Sequence, residues 1–303
     1  MKLFSPEKLY KHFIRDNYDI IVSYLEGPTA RIVSGCTNPN TKLVSWIHIE
    51  QHTKELASKS FRSYKEALDC YSKFDRTVCV SDTVKDDFES IFDTKKPVEV
   101  LYNTNESEKI KKLSDEKVDD VNFSKDIINI ISVAKIVPSK GYDRLMKIHK
   151  KLIEKNIKNH IYILGIGEEK EKYEKYLAEN NLTDTFTFLG YRDNPYKYVK
   201  KADLYVCSSR REGFSTAVTE ALIVGTPVVS TNCSGAYELL GKNNEYSIVT
   251  ENNEDALYEG IKKILTTPDL LEAYAAKAKE RGKAFSTEKT VKAVEEMSVS
   301  YTH

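Results

Sequence analysis

Short apolar runs rich in β-branched residues alternate along the chain with longer stretches of helical periodicity, the pattern of a parallel sheet wrapped by helices. In the first half the runs are Asp19–Tyr24 (DIIVSY), Lys42–Ile47 (KLVSWI), Thr77–Val80 (TVCV) and Val98–Leu101 (VEVL). Helical patterns separate them, one predicted to begin at Ser81 with Asp82 in its first turn, where a carboxylate suits the helix dipole. In the second half Ile127–Ala134 (IINIISVA) is almost continuously apolar, as expected of a strand buried on both faces. Runs at His160–Leu164, Thr185–Leu189, Leu204–Cys207 and Pro227–Ser230 follow, separated by helices such as Tyr142–Lys155. The whole chain reads as α/β.

The segment Glu106–Lys125 is charged, lacks a strand pattern and separates the two series of strands, so it is the expected interdomain connection, with a boundary near Asp119. Residues 1–118 then form an N-terminal Rossmann-like domain and 119–285 a C-terminal one, and 286–303 form a helix expected to pack back on the first. The second domain reads as complete and doubly wound. The first is expected to be incomplete, because its opening helix leads straight into a strand that such domains reach only after several others.

Composition narrows the chemistry. The 303 residues, 40% hydrophobic, suit two domains. Lys plus Arg and Asp plus Glu both total 46, so no global field favours nucleic acid or an anionic membrane, and any phosphate binding must be local. Five cysteines (Cys36, Cys70, Cys79, Cys207, Cys233), with no C-x-x-C, argue against a disulfide framework or a zinc site and suit a reducing cytoplasm. No apolar run approaches about 18 residues and Met1–Arg15 does not resemble a signal peptide, so a soluble or peripheral protein is expected. Nineteen tyrosines and many lysines suit contact with a membrane face, and equally an ordinary solvated surface; Lys109, Lys111 and Lys112 read as solvated.

The most informative segment is Glu212–Thr231, EGFSTAVTEALIVGTPVVST. It follows a strand and a polar turn (Ser208, Ser209, Arg210, Arg211), and Glu220 falls in a helix predicted to end at Gly225. In such a unit the strand's carboxyl end and the first helical turn form a natural anion site; Gly213, Phe214, Ser215 and Thr216 supply that turn. Glu212 and Glu220 flank it, spaced to reach a sugar and a ribose while amides between them hold a diphosphate. Taken alone, Glu212 reads equally as a helix-start acid and Glu220 as a solvated helix residue. A second element is SVAKIVPSKGY, where Lys135 and Lys140 converge on a strand's carboxyl end. Such cations neutralise phosphate oxygens on a departing diphosphate, although two ordinary surface lysines fit the bare pattern too.

The segments VAKIVPSKGYDRL, YILGIG, FLGYRDNPY and EGFSTAVTEALIVGTPVVST occur in the order typical of glycosyltransferase family 4, and the last resembles that family's E-x7-E motif. Together they cover most of residues 127–250; the G-x-G at Gly165 and Gly167 is weak by itself. The resemblance implies a GT-B fold, retaining transfer, a UDP- or GDP-sugar donor held mainly by the C-terminal domain, and no metal or other cofactor. Carried over by motif, Lys135 and Lys140 contact the diphosphate, Glu212 the sugar hydroxyls, Ser215 and Thr216 the phosphates through backbone N–H groups, and Glu220 the ribose. The family usually has arginine where Lys135 stands; lysine keeps the charge and loses the bidentate fork.

The first half resembles the acceptor domain of bacterial polysaccharide-type members through YDIIVSYLEGP, VSWIH, VCVSDTVKDDF and VLYNT. His48 matches the family's active-site histidine, near the transferred sugar; seen alone it reads as a satisfied core or loop histidine. His52 lies four residues on, with no third metal ligand apparent. The glycine-rich loop with which the family begins does not precede Tyr18, so the chain resembles a member lacking about its first sixty residues. The expected function is hexose transfer to a glycan or lipid-linked saccharide in cell-surface polysaccharide (capsule-type) synthesis, in the cytoplasm or peripherally on the inner membrane face. The alternatives are an accessory subunit whose first domain a protein partner completes, and a GT-B relative such as a sugar-nucleotide epimerase. There is no D-x-D, G-x-S-x-G, P-loop or paired C-x-x-C to support other chemistries.

Overall fold

The computed structural model describes residues 2–299; Met1 and residues 300–303 of the terminal segments read above lie outside them. The chain divides into two compact units, one running to Asn103 and resuming at Lys292, the other spanning Thr104–Val291. The helix Thr287–Val299 crosses the second changeover.

The first unit holds four parallel strands, β1 (Ile20–Ser23), β2 (Lys42–Ile47), β3 (Arg76–Cys79) and β4 (Val98–Val100), in the order of the chain. Its helices start where the sequence places hydroxyls: the side chains of Ser63 and Ser81 accept from the N–H groups of Glu66 and Val84, capping the helices Tyr64–Tyr71 and Asp82–Ile91. Phe61, Tyr71, Phe74, Phe88 and Phe92 fill the space behind the sheet. Arg31 is wholly buried and is tolerated there because Glu66 pairs with it at 2.9 Å.

The second unit is a six-stranded parallel sheet of β5 (Ile128–Val133), β6 (Asn159–Leu164), β7 (Phe186–Gly190), β8 (Leu204–Cys207), β9 (Val228–Thr231) and β10 (Ile248–Thr250), ordered β10-β9-β8-β5-β6-β7. The chain winds outward from β5 to β7, then crosses back to β8 and winds the other way. This reversal places the loops after β5 and β8 on diverging paths and opens a crevice at the carboxyl ends of the two strands. Helices on both faces bury the sheet, so Ile130, Ile161, Leu204 and Val206 are fully excluded from water.

The nine predicted strands are found with ends shifted by a residue or so. β10 lacks a sequence signal because it is three residues long and follows a polar turn; pairing with β9 makes it a strand. The charged segment Glu106–Lys125 contains the helix Ser107–Ser114, which buries Ile110 and turns Lys109 and Lys111 outward onto Glu106 and Glu108. The first changeover between units, Asn103 to Thr104, falls ahead of that helix.

Candidate functional site

The crevice at the strand reversal is a cavity of about 290 Å³. Lys135, Lys140, Glu212, Phe214, Ser215 and Thr216, six of the residues singled out from the sequence, line it. One wall is the loop after β5. There Gly141 adopts φ +70°, ending a short turn and releasing the chain into the helix Tyr142–Glu154. A Cβ at Gly141 would sit 2.1 Å from the Ser208 carbonyl oxygen, so only glycine lets the two loops approach.

The other wall is the loop after β8. The Ser215 side chain caps the helix Thr216–Val224 by accepting from Val218 N–H, and Gly225 at φ +83° ends that helix where the sequence predicts. Geometry leaves the first-turn N–H groups without intrahelical acceptors, and they border the cavity. Phe214 is buried edge-on against Phe285, ring centroids 6.1 Å apart, which anchors the turn. Gly213 faces Gly235, whose added Cβ would lie 3.1 Å from the Gly213 carbonyl oxygen.

A dense set of bonds stitches the two loops together. Lys140 pairs with Glu212 at 2.7 Å, and the Ser209 hydroxyl donates to the same carboxylate oxygen at 2.6 Å. The Ser208 hydroxyl donates to the Lys140 carbonyl at 2.8 Å, and the Arg210 N–H to the Ser139 carbonyl at 2.7 Å. The Arg210 guanidinium grips both Asp143 oxygens at 2.7 Å, holding that carboxyl below the usual range. Lys135 is exposed at the mouth.

Glu220 lies on the helix Thr216–Val224 outside the residues that line the cavity. Burial pushes its carboxyl up to about 7, and the Tyr196 hydroxyl donates to it at 3.4 Å. His48 belongs to the first unit, just past β2. Its N–H donates to Glu26 at 3.0 Å, and its ring meets Tyr24 edge-on at 4.9 Å. Its buried Nε2 has no hydrogen-bond partner among the described residues, and burial lowers the imidazole pKa.

Sequence reading passed over Ser209, Asp143, Arg144 and Cys207. Ser209 stood in a turn noted only as polar, and Asp143 and Arg144 sat in a quoted motif without a role. Cys207, the last residue of β8, lines the cavity, and the neighbouring Cys233 thiol holds its thiol pKa below the usual range. The weak G-x-G acquires a packing reason. Added Cβ atoms at Gly165 and Gly167 would strike the Ala134 and Ile136 carbonyl oxygens at 1.9 and 2.1 Å, so both glycines let the loop after β6 pack against the loop after β5.

Two Rossmann-like units, one with a cationic crevice at its strand reversal, define the GT-B class of fold. The family described as glycosyl transferases group 1 matches residues 114–281. The N-acetylgalactosamine-N,N'-diacetylbacillosaminyl-diphospho-undecaprenol 4-alpha-N-acetylgalactosaminyltransferase of Campylobacter jejuni is 30% identical over 274 residues, covering 89% of this chain and 70% of that protein. The poly(ribitol-phosphate) alpha-N-acetylglucosaminyltransferase of Staphylococcus aureus is 24% identical over 276 residues, and the chain spans 52% of its length. Among solved structures, TarM superposes with a TM-score of 0.74 at 20% identity, over 95% of this chain and 57% of that one. Anabaena HepE in complex with UDP superposes with a TM-score of 0.77 at 16% identity, over 97% and 82%. The chain belongs to the group 1 glycosyltransferases, a family of enzymes.

Proposed function

We propose that the chain is a retaining glycosyltransferase that moves a hexose from a nucleotide-diphosphate-sugar to a glycan or lipid-linked saccharide in cell-surface polysaccharide synthesis. The observation that carries this reading is the crevice of the second unit, where Lys135, Lys140, Glu212 and the first turn of the helix Thr216–Val224 line one cavity. In this reading the lysines and the N–H groups at Ser215 and Thr216 hold the diphosphate. Glu212 and the Gly213–Phe214 turn meet the sugar, Glu220 meets the ribose, and His48 orients the transferred sugar. Charge grows on the diphosphate as its bond to the anomeric carbon breaks, and fixed cations and amides stabilise that charge without a metal. The acceptor oxygen attacks on the same face and its proton passes to the departing phosphate, so the protein supplies no nucleophile.

Names of relatives support the finer reading. The Campylobacter and Staphylococcus proteins are named as transferring N-acetylhexosamines with alpha linkage. The HepE complex contains UDP, and the pneumococcal GtfA structure contains UDP and GlcNAc. They favour UDP over GDP, an N-acetylhexosamine as the sugar, and retention, since such donors carry the sugar in alpha linkage. Among the described residues no helix is long and apolar enough to cross a membrane; a lipid-linked acceptor would be met by peripheral contact at the cytoplasmic face.

Calorimetric titration with UDP and GDP, then with the hexose nucleotides, tests the reading. The expected result is binding of UDP that weakens in Lys140→Ala and in Glu220→Ala. Failure to bind either nucleotide would sink the donor-site assignment and favour the accessory subunit.

A further inference from the structure

The two loops bounding the crevice, residues 134–144 and 208–216, carry five cations (Lys135, Lys140, Arg144, Arg210, Arg211) and two carboxylates (Asp143, Glu212), in a chain whose formal net charge is zero. Both carboxylates are engaged: Asp143 by the Arg210 fork and Glu212 by Lys140. No carboxylate lies within ion-pair distance of Arg144 among the described residues. Its side chain is 5% exposed, and its Nε and Nη2 both donate to the Ser208 carbonyl, at 2.8 and 2.5 Å.

Three features make this a costly place for a cation. Burial strips away solvent, and a lone carbonyl compensates a full charge poorly. Arg144 stands in the first turn of the helix Tyr142–Glu154, where the dipole favours anions. Arg210 close by adds like-charge repulsion, and burial together with Arg210 pulls the guanidinium pKa down. An apolar side chain of similar length would fill the space at lower electrostatic cost.

We infer that Arg144 is a fixed buried cation serving the diphosphate site: it positions the Ser208 carbonyl, and with it the Ser209–Glu212 turn, and raises the positive potential behind the crevice. The inference rests on the donor-site reading above. Arg144 does not line the cavity, so it is a positioning residue, acting through Ser208 and through its field. The bound anion adds to the compensation of a buried charge that Asp143, itself held by Arg210, offsets only in part. The fork matters as well as the charge, because two N–H groups converging on one carbonyl fix its direction.

The test compares the full wild-type chain with Arg144→Met and Arg144→Lys for binding of UDP and of uridine, by calorimetry and ligand-detected NMR, with melting curves as the folding control. The expected result is UDP binding weakened by about tenfold or more in Arg144→Met, uridine binding unchanged, and partial recovery in Arg144→Lys. Equal losses for UDP and uridine would show a merely structural role and overturn the inference, as would unchanged UDP affinity. If Arg144→Met does not fold, the UDP-to-uridine ratio of Arg144→Lys decides by the same criterion. A wild-type chain that binds neither UDP, GDP nor pyrophosphate would remove the donor-site reading and this inference together, whereas wild-type binding with unaffected variants removes only the role of Arg144.

Discussion

Lys140 and Glu212, 72 residues apart in sequence, are ion-paired at 2.7 Å across the crevice, their side chains 23% and 14% exposed. The residue assigned to phosphate and the one assigned to sugar therefore hold each other in the free protein. In the proposed donor complex a diphosphate would compete for the ammonium, while the Ser209 hydroxyl, already on the same Glu212 oxygen, would keep that carboxylate partnered.

Lys140→Ala removes the proposed phosphate contact and leaves the Glu212 carboxylate without its counter-cation, so UDP affinity is expected to fall about tenfold or more. In the free protein the two residues share one interaction, so the folding stability lost by Lys140→Ala combined with Glu212→Gln should be less than the sum of the single losses, by about 1 kcal/mol or more. A calorimetric double-mutant cycle checks this; strict additivity would mean that the pair carries no coupling.

Glu212→Gln alone should slow sugar transfer more than it weakens UDP binding, because its assigned partner is the sugar and not the diphosphate. The measurement is kcat and donor KM beside UDP affinity. Transfer at the wild-type rate would remove Glu212 from the sugar-orienting role.

Glu220 gives a pH signature. Its folded pKa of about 7 stands above the 4.5 of an ordinary glutamate, so the folded state retains a proton that the unfolded chain releases. Stability contributed by this group is therefore full below about pH 4.5 and lost as pH rises towards 7. Glu220→Gln should be more stable than wild type at pH 8, by about 1–2 kcal/mol, with the difference vanishing near pH 4. Urea unfolding at both pH values decides it, and an equal effect at both would contradict the burial argument.

Gly141→Ala forces a Cβ against the Ser208 carbonyl at a φ of +70°. The variant should lose about 2 kcal/mol or more of stability and bind UDP weakly, since the loops that carry Lys140 and Glu212 are pushed apart. Thermal melting and titration of the same sample report both effects.

His48→Ala should reduce transfer while leaving UDP affinity near wild type, since the assigned diphosphate contacts all lie in the other unit. Its burial-lowered pKa keeps the ring neutral at neutral pH, so no loss of rate attributable to imidazolium should develop between pH 8 and 7. Measured in a Glu220→Gln background, so that the Glu220 carboxyl does not titrate there, a rate that tracks protonation across that interval would contradict this.

Local physics was legible in the chain itself. The apolar run around β5 is of the kind found in a strand covered on both faces, Ser81 and Ser215 stand where helices need a cap, and Gly225 stands where one must stop. The alternation of strand and helix specifies the two parallel sheets, and the resemblance carried Lys135, Lys140, Glu212, Ser215 and Thr216 to one site. These features depend on side-chain shape and on neighbours within a few turns, which a linear sequence displays. What only the tertiary structure decided depends on neighbours far away in the chain. The strand order sets β5 between β8 and β6: from the first pairing follow the Lys140–Glu212 pair and the seat of Arg144 beneath Ser208, and from the second the need for glycines in the loop after β6. The raised pKa of Glu220 belongs to the same class. A carboxylate on a helix shows its chemistry in the sequence, but its solvation is set by whatever the fold packs over it.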